Sequence, residues 1–158
     1  MDIDQITGEI INSAMYVHTA LGPGLLESAY VTCLSAHLRK KGFKIMNEVP
    51  IRLVFDGIEL DCAYRIDLLV EDLVVVECKA VKQLIPVHDA QLLSHIRLGF
   101  HPVGLLINFH ALHLRDGIRR KVNGHHPSAP SRTPRPLRQS SVSATGREQG
   151  ADPSLRSG

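Results

Sequence analysis

The chain has 158 residues, of which 44% are hydrophobic and 22% charged, enough to bury one core but not two, so a single domain is expected. The formal charge is +2, but five arginines against Glu148 and Asp152 lie beyond residue 124, leaving residues 1–124 with 13 basic and 14 acidic side chains, a net −1. That balance excludes attachment to a polyanion by overall charge and leaves only a local patch or bound metal ions for such a contact.

In chain order, apolar residues at Ile3, Ile6, Ile10, Ala14, Val17 and Leu21 have the three-to-four spacing of an amphipathic helix, stopped by Gly22-Pro23-Gly24. A second helix is expected from Gly24, near its N-cap, to Lys41. There Leu26, Tyr30, Cys33, Leu34 and Leu38 repeat helically, and a basic last turn precedes Gly42. Strands are expected at Phe43–Val49 and Ile51–Phe55, then after an Asp56-Gly57 hairpin turn a long strand from Ile58 to Val70. Leu73–Val81 reads as the next strand, Val87–Leu98 as a helix ended by Gly99, and Val103–Phe109 as a buried strand. Ala111–Val122 reads as one or two edge strands turning at Asp116-Gly117.

After Gly124 the composition changes: the last 34 residues hold five of the nine prolines and hardly any large apolar side chain. A domain over 1–124 and a disordered tail over 125–158 are therefore expected. Cys33, Cys62 and Cys78 form no Cys-x-x-Cys pair, so neither a zinc site nor a disulfide framework is suggested. No apolar run nears the ~18 residues of a membrane span, and the acidic Met1-Asp2-Ile3-Asp4 start is unlike a leader. A cytoplasmic protein without a membrane partner is the expectation.

The segment richest in chemistry runs from Arg65 to Lys79. Side chains alternate in a strand, so Asp67 shares a face with Arg65, and Glu77 shares one with Val75 and Lys79. A two-residue loop at Glu71-Asp72 would mix charge and hydrophobe on both faces. A three-residue loop, Glu71-Asp72-Leu73, pairs Val70 with Val74, Leu68 with Val76 and Ile66 with Cys78, which sets Asp67 across from Glu77. Facing carboxylates repel unless a cation lies between them, and Mg²⁺ is bound through one or two carboxylates plus water and phosphate. Lys79 is then placed to meet a scissile phosphate or to orient the attacking water. The same spacing also occurs on solvated sheet faces with surface ion pairs.

Two readings stand for the flanking helices. Glu27 is either a first-turn glutamate that satisfies free helix N–H groups or a further metal-site carboxylate, with Tyr30 one turn on along the same face. His88, Gln91 and His95 form either a solvated helix face or, for Gln91, a contact to substrate; a zinc pair of the two histidines lacks a third ligand. The basic run Arg119-Arg120-Lys121 fits ordinary surface charge or phosphate contact.

Gly24, Glu27 and Tyr30 within Leu21–Tyr30 resemble the signature of the GxxExxY protein family. Ile66-Asp67-Leu68-Leu69-Val70, Val76-Glu77-Cys78-Lys79-Ala80, Ala90-Gln91-Leu92-Leu93 and Gly104–Phe109 extend the resemblance over about residues 5–122. That family is grouped with the PD-(D/E)xK nucleases. The resemblance implies an α/β, restriction-endonuclease-like mixed β-sheet flanked by helices, in the approximate order ααββββαββ. It implies a metal-dependent nuclease acting on DNA or RNA, or alternatively a non-catalytic nucleic-acid-binding or protein-interaction module on that scaffold. Glu27, Asp67, Glu77 and Lys79 would be the catalytic set. Glu27, Asp67, Glu77 and the Cys78 backbone carbonyl would hold Mg²⁺, with Mn²⁺ as a substitute, and Tyr30, Gln91 and His95 would meet the substrate. His95 stands where the family continues its glutamine helix with tyrosine, and Ile66 stands where the superfamily's name places proline. Homodimers are common among such folds, and that option is open here.

Overall fold

The computed structural model describes residues 1–60 and 64–124. The expected disordered tail, 125–158, and Cys62 lie outside the described residues.

Helix α1, Ile3–Leu21, opens with a reciprocal cap: the Asp2 carboxylate accepts from the Gln5 amide at 2.8 Å while the Gln5 side chain accepts from the Asp2 amide at 2.9 Å. Its buried stripe is Ile6, Ile10, Ala14 and Val17, as the spacing predicts, whereas Leu21 at the end is exposed. Helix α2, Glu27–Lys40, begins three residues later than Gly24 and has Leu26 as its N-cap, which offers no side-chain oxygen. The preceding turn is instead tied from within the helix: the Tyr30 hydroxyl donates to the Gly22 carbonyl at 2.6 Å and accepts from the Leu25 amide at 3.1 Å. Gly42, at φ 91°, ends α2 with the Phe43 amide bonded to the Leu38 carbonyl and the Gly42 amide to that of Arg39.

The main sheet has the order β1-β4-β5-β6-β7, with β1 Ile45–Pro50, β4 Arg65–Val70, β5 Val74–Lys79, β6 Val103–Asn108 and β7 Ile118–Val122. Only β5 and β6 run parallel, joined through helix α3, Pro86–Leu98; the other neighbours are antiparallel. Strands β2, Leu53–Phe55, and β3, Ile58–Leu60, form a separate hairpin about Asp56 and Gly57, both with positive φ, as Asp-Gly predicts. Among the described residues, the single strand expected from Ile58 to Val70 is therefore two strands in two sheets, and five strands rather than four precede α3. The expected turn at Asp116-Gly117 is the end of a 3₁₀ turn, Leu114–Gly117, whose Leu114 is buried in the core, and β7 alone follows it.

Cores lie on both sides of the sheet. α1 and α2 cover one face, packing Ile10, Leu34 and Leu38 on Leu68, Val76, Cys78, Leu105 and Ile107, while α3 covers the other with Leu92 and Ile96 on Ile66, Leu69, Val75 and Leu106. β5 is consequently buried from Val74 to Cys78, which explains its run of valines. The architecture is the expected mixed sheet flanked by helices, consistent with a restriction-endonuclease-like fold.

Candidate active site at the splayed end of the central strands

The β4–β5 turn is the three-residue loop the burial argument favours: Val70 pairs with Val74, Leu69 with Val75 and Leu68 with Val76. The loop holds Glu71 and Asp72 at φ 54° and 58° and is fixed to the residue just before β1 by the Glu71 amide on the Lys44 carbonyl at 2.9 Å. The ladder then ends. Ile66, expected opposite Cys78 on one apolar face, belongs instead to the core under α3, away from Leu68. On the neighbouring strand, Val49 packs toward α3 while Asn47 bonds Ser35 of α2, so both strands switch faces at Glu48 and Asp67, and Glu48 sits there at φ 50°.

That local break moves Asp67 out of a directly facing pair with Glu77. Its carboxylate Oδ2 takes the Cys78 amide at 2.9 Å, substituting for the missing ladder bond. Asp67 lines a groove of about 390 Å³ between α2 and β1, together with Glu27, Ser28, Thr32, Asn47 and Glu48. Glu77 turns the other way and bonds His95 Nδ1 of α3; it is only 5% exposed. Asp67 nevertheless acts on both neighbours. Burial first, then the Asp67 charge, raises the carboxyl pKa of Glu27, opposed by Lys79, the Ala80 amide and His88. Burial likewise raises that of Glu77, with Asp67 adding to it and His95 and Lys79 opposing it. Glu27, Asp67, Glu77 and Lys79 thus form one electrostatic unit at the C-terminal end of β5, the end where open α/β sheets place their ligands.

The remaining expected residues divide. His95 is brought to Glu77, with the Tyr64 ring edge-on to it at 6.5 Å. Gln91 is exposed on α3. Tyr30, expected at the substrate, has no exposed surface: it stacks on Phe109 at 4.5 Å and spends its hydroxyl on the Gly22–Leu25 turn. Its role is to fix the entry to α2, and with it the position of Glu27. Cys78 is fully buried, and burial followed by the surrounding carboxylates pushes its thiol well above 9.0. His88 Nδ1 accepts from the Ile85 amide at 3.1 Å, closing the first turn of α3.

Two contributors escape sequence reasoning. Glu48 joins the carboxylate groove only because β1 breaks its alternation beside Asp67. Asn108, nearly buried, accepts from the Val81 amide at 3.1 Å, donates to the Val81 carbonyl at 2.8 Å and accepts from the His110 amide at 3.3 Å. It thereby clamps the chain just after Lys79. Parallel strand ends needing a shared polar tie are the only hint of such a residue.

Among the described residues, no three His, Cys, Asp or Glu side chains converge closely enough to hold a metal ion as they stand. The donors still suit a hard cation: Glu27 and Glu77 are disfavoured as anions first by burial and then by the Asp67 charge, which a cation would relieve, and Mg²⁺ keeps most of its waters and needs only one or two protein carboxylates. No described helix is long and apolar enough to cross a membrane.

No curated protein and no solved structure matches the chain significantly. A family does: the PD-(D/E)XK nuclease superfamily matches residues 4–121, which span both helical layers, the whole main sheet but its last residue, and the carboxylate–lysine unit at its splayed end. The chain belongs to the PD-(D/E)XK nuclease superfamily.

Proposed function

We propose that the protein is a metal-dependent nuclease of the GxxExxY branch, marked by Gly24, Glu27 and Tyr30, and that it hydrolyses phosphodiester bonds of DNA or RNA. The observation that carries this reading is the electrostatic unit of Glu27, Asp67, Glu77 and Lys79 on a nuclease-superfamily scaffold. Asp67 and Glu77, with Glu27, are the residues to hold Mg²⁺ or, in its place, Mn²⁺. A bound divalent ion supplies charge neutralisation at phosphorus and a water of lowered pKa. Lys79 meets a phosphate oxygen and stabilises the negative charge that grows there during hydrolysis. His95 holds Glu77 in place, and the Asp67–Cys78 bond ties β4 to β5 where their ladder has ended. Gln91, exposed on the same helix as His95, faces solvent where a substrate strand can reach it.

The test is incubation of the purified protein with Mg²⁺ or Mn²⁺ and supercoiled, linear and single-stranded DNA and RNA. Cleavage is expected, and Lys79→Ala is expected to reduce it by about 10²-fold or more, the scale for losing one preorganised charge stabiliser. Wild-type protein that cuts none of these substrates ends the hydrolytic reading.

A non-catalytic binding module is the second reading, favoured by the absence of a ready three-group metal cluster among the described residues. Titration calorimetry separates the two. Divalent-metal binding lost in Asp67→Ala belongs to the enzyme, and metal-independent nucleic-acid binding to the module.

A further inference from the structure

The described body of the protein is close to neutral, yet its cations are not evenly compensated. Lys41, Lys44, Arg52, Arg119, Arg120 and Lys121 each face a carboxylate, Asp89 serving both Arg119 and Lys121. Arg39 bonds Asn47 and the Ile45 carbonyl. Lys40 and Arg97 sit in the last turns of α2 and α3, where the helix dipole favours them. Arg65, Lys82 and Arg115 are exposed and have no ion pair or side-chain hydrogen bond among the described residues, Arg115 standing in a single 3₁₀ turn too short for a sizeable dipole.

These three lie at one edge. Arg65 opens β4, which runs antiparallel to β5 and so begins beside the strand end that carries Glu77 and Lys79. Lys82 follows Val81, which Asn108 ties to His110. Phe109, bonded through its amide to the Lys79 carbonyl at 2.8 Å, leads into the loop of His110, His113 and Arg115. That loop borders a cleft of about 320 Å³ against the end of α1, whose His18 bonds the Ala111 carbonyl through Nε2 at 2.7 Å. The uncompensated cations therefore stand on both sides of the carboxylate–lysine unit, Arg65 on the β4 side and Lys82 and Arg115 on the β6 side.

Resting on the nuclease reading, we propose that this edge is the track for the phosphodiester backbone: Arg65 holds the strand on one side of the scissile group and Lys82 and Arg115 hold it on the other, with His110 and His113 as hydrogen-bond donors between them. Exposed cations with no carboxylate partner among the described residues can exchange their counterions for phosphates, and binding of that kind falls by about 0.7 to 0.9 logarithmic units per tenfold rise in salt for each phosphate contact. The pattern also answers the near-neutral composition, since a local strip needs no overall positive charge.

The experiment measures binding of labelled DNA and RNA strands of one sequence in EDTA, by fluorescence anisotropy across a salt series. It compares the wild type, Arg65→Ala/Lys82→Ala/Arg115→Ala, and a charge-matched control at the far end of the molecule, Lys41→Ala/Lys44→Ala/Arg120→Ala. The edge variant is expected to bind on the order of tenfold more weakly, with its salt slope reduced by about 2, and the control to stay near wild type. Equal losses in both variants, or wild-type affinity and slope in the edge variant, overturn the proposal. Cleavage is read separately: a wild type that cuts nucleic acid while the edge variant binds normally sinks the track alone. A wild type that neither cuts nor binds sinks the nuclease reading with it.

Discussion

Glu77 is the one buried carboxylate among the described residues, and its environment gives it an unusual pH signature. Its pKa in the fold is raised above the ordinary 4.5, chiefly by burial. The fold therefore prefers the protonated form, so the stability this group contributes is complete below 4.5 and is lost as pH climbs through the raised value. Glu77→Gln, which removes the buried charge but can still bond His95, is expected to melt at a higher temperature than wild type at neutral pH, the gap closing as pH falls below 4.5. Mg²⁺ should raise the melting temperature of the wild type and not of the variant. Thermal melts across pH, with and without Mg²⁺, check both; a variant less stable than wild type at neutral pH contradicts the burial argument. Tyr30 makes a complementary case. Tyr30→Phe keeps the stack on Phe109 but leaves the Gly22 carbonyl and Leu25 amide without their partner, at a cost of about 1–2 kcal/mol by denaturant unfolding. Unchanged stability with lost activity would instead mark a substrate contact.

At the scale of elements, each helix ends by a device the chain states more or less openly. Gly42 supplies the left-handed residue after α2. After α3 the corresponding residue is Phe100, at φ 56° and 78% exposed, with the His101 amide on the Ile96 carbonyl and its own amide on that of Arg97. Gly99, the expected stop, stays right-handed at φ −82°. The cap is thus shifted one residue past the glycine, and a β-carbon is held in a region that disfavours it. Phe100→Gly should stabilise the protein by about 1 kcal/mol, measured by chemical denaturation, because the strain disappears and little packing is lost. A destabilised variant would mean that the exposed ring contributes contacts outweighing the strain.

Across the whole molecule, the site depends on how closely α3 lies on the sheet. Gly104 of β6 lets it approach: a β-carbon there would stand 2.6 Å from Leu92 Cδ1 and 2.8 Å from Ile96 Cγ2. Gly104→Ala is expected to cost about 1–3 kcal/mol through overpacking and to reduce activity beyond the loss of folded protein, because lifting α3 takes His95 away from Glu77. Stability by urea titration and activity per folded molecule report the two effects. An alanine variant with unaltered activity per folded molecule would show that the His95–Glu77 contact survives a raised helix.

Local chemistry was written plainly into the chain. The stripe of Ile6, Ile10, Ala14 and Val17, the Asp56-Gly57 turn, the valine run of β5 and the three-residue loop between Val70 and Val74 all follow from periodicity, turn preference and burial parity, and all are found. These properties depend on neighbours a few residues apart, so the sequence by itself determines them. It could not announce that β1 and β4 break their alternation together at Glu48 and Asp67, that Glu77 looks toward α3, that Asn108 ties two loops, or that Tyr30 is spent on the turn before its own helix. The Glu77–His95 and Asn108–Val81 contacts join groups 18 and 27 positions apart, and Tyr30 is held where it is by stacking on Phe109 of a distant strand end. Tertiary structure decided them, because only packing of both helical layers on the sheet fixes which unpaired backbone group or charge each side chain must serve.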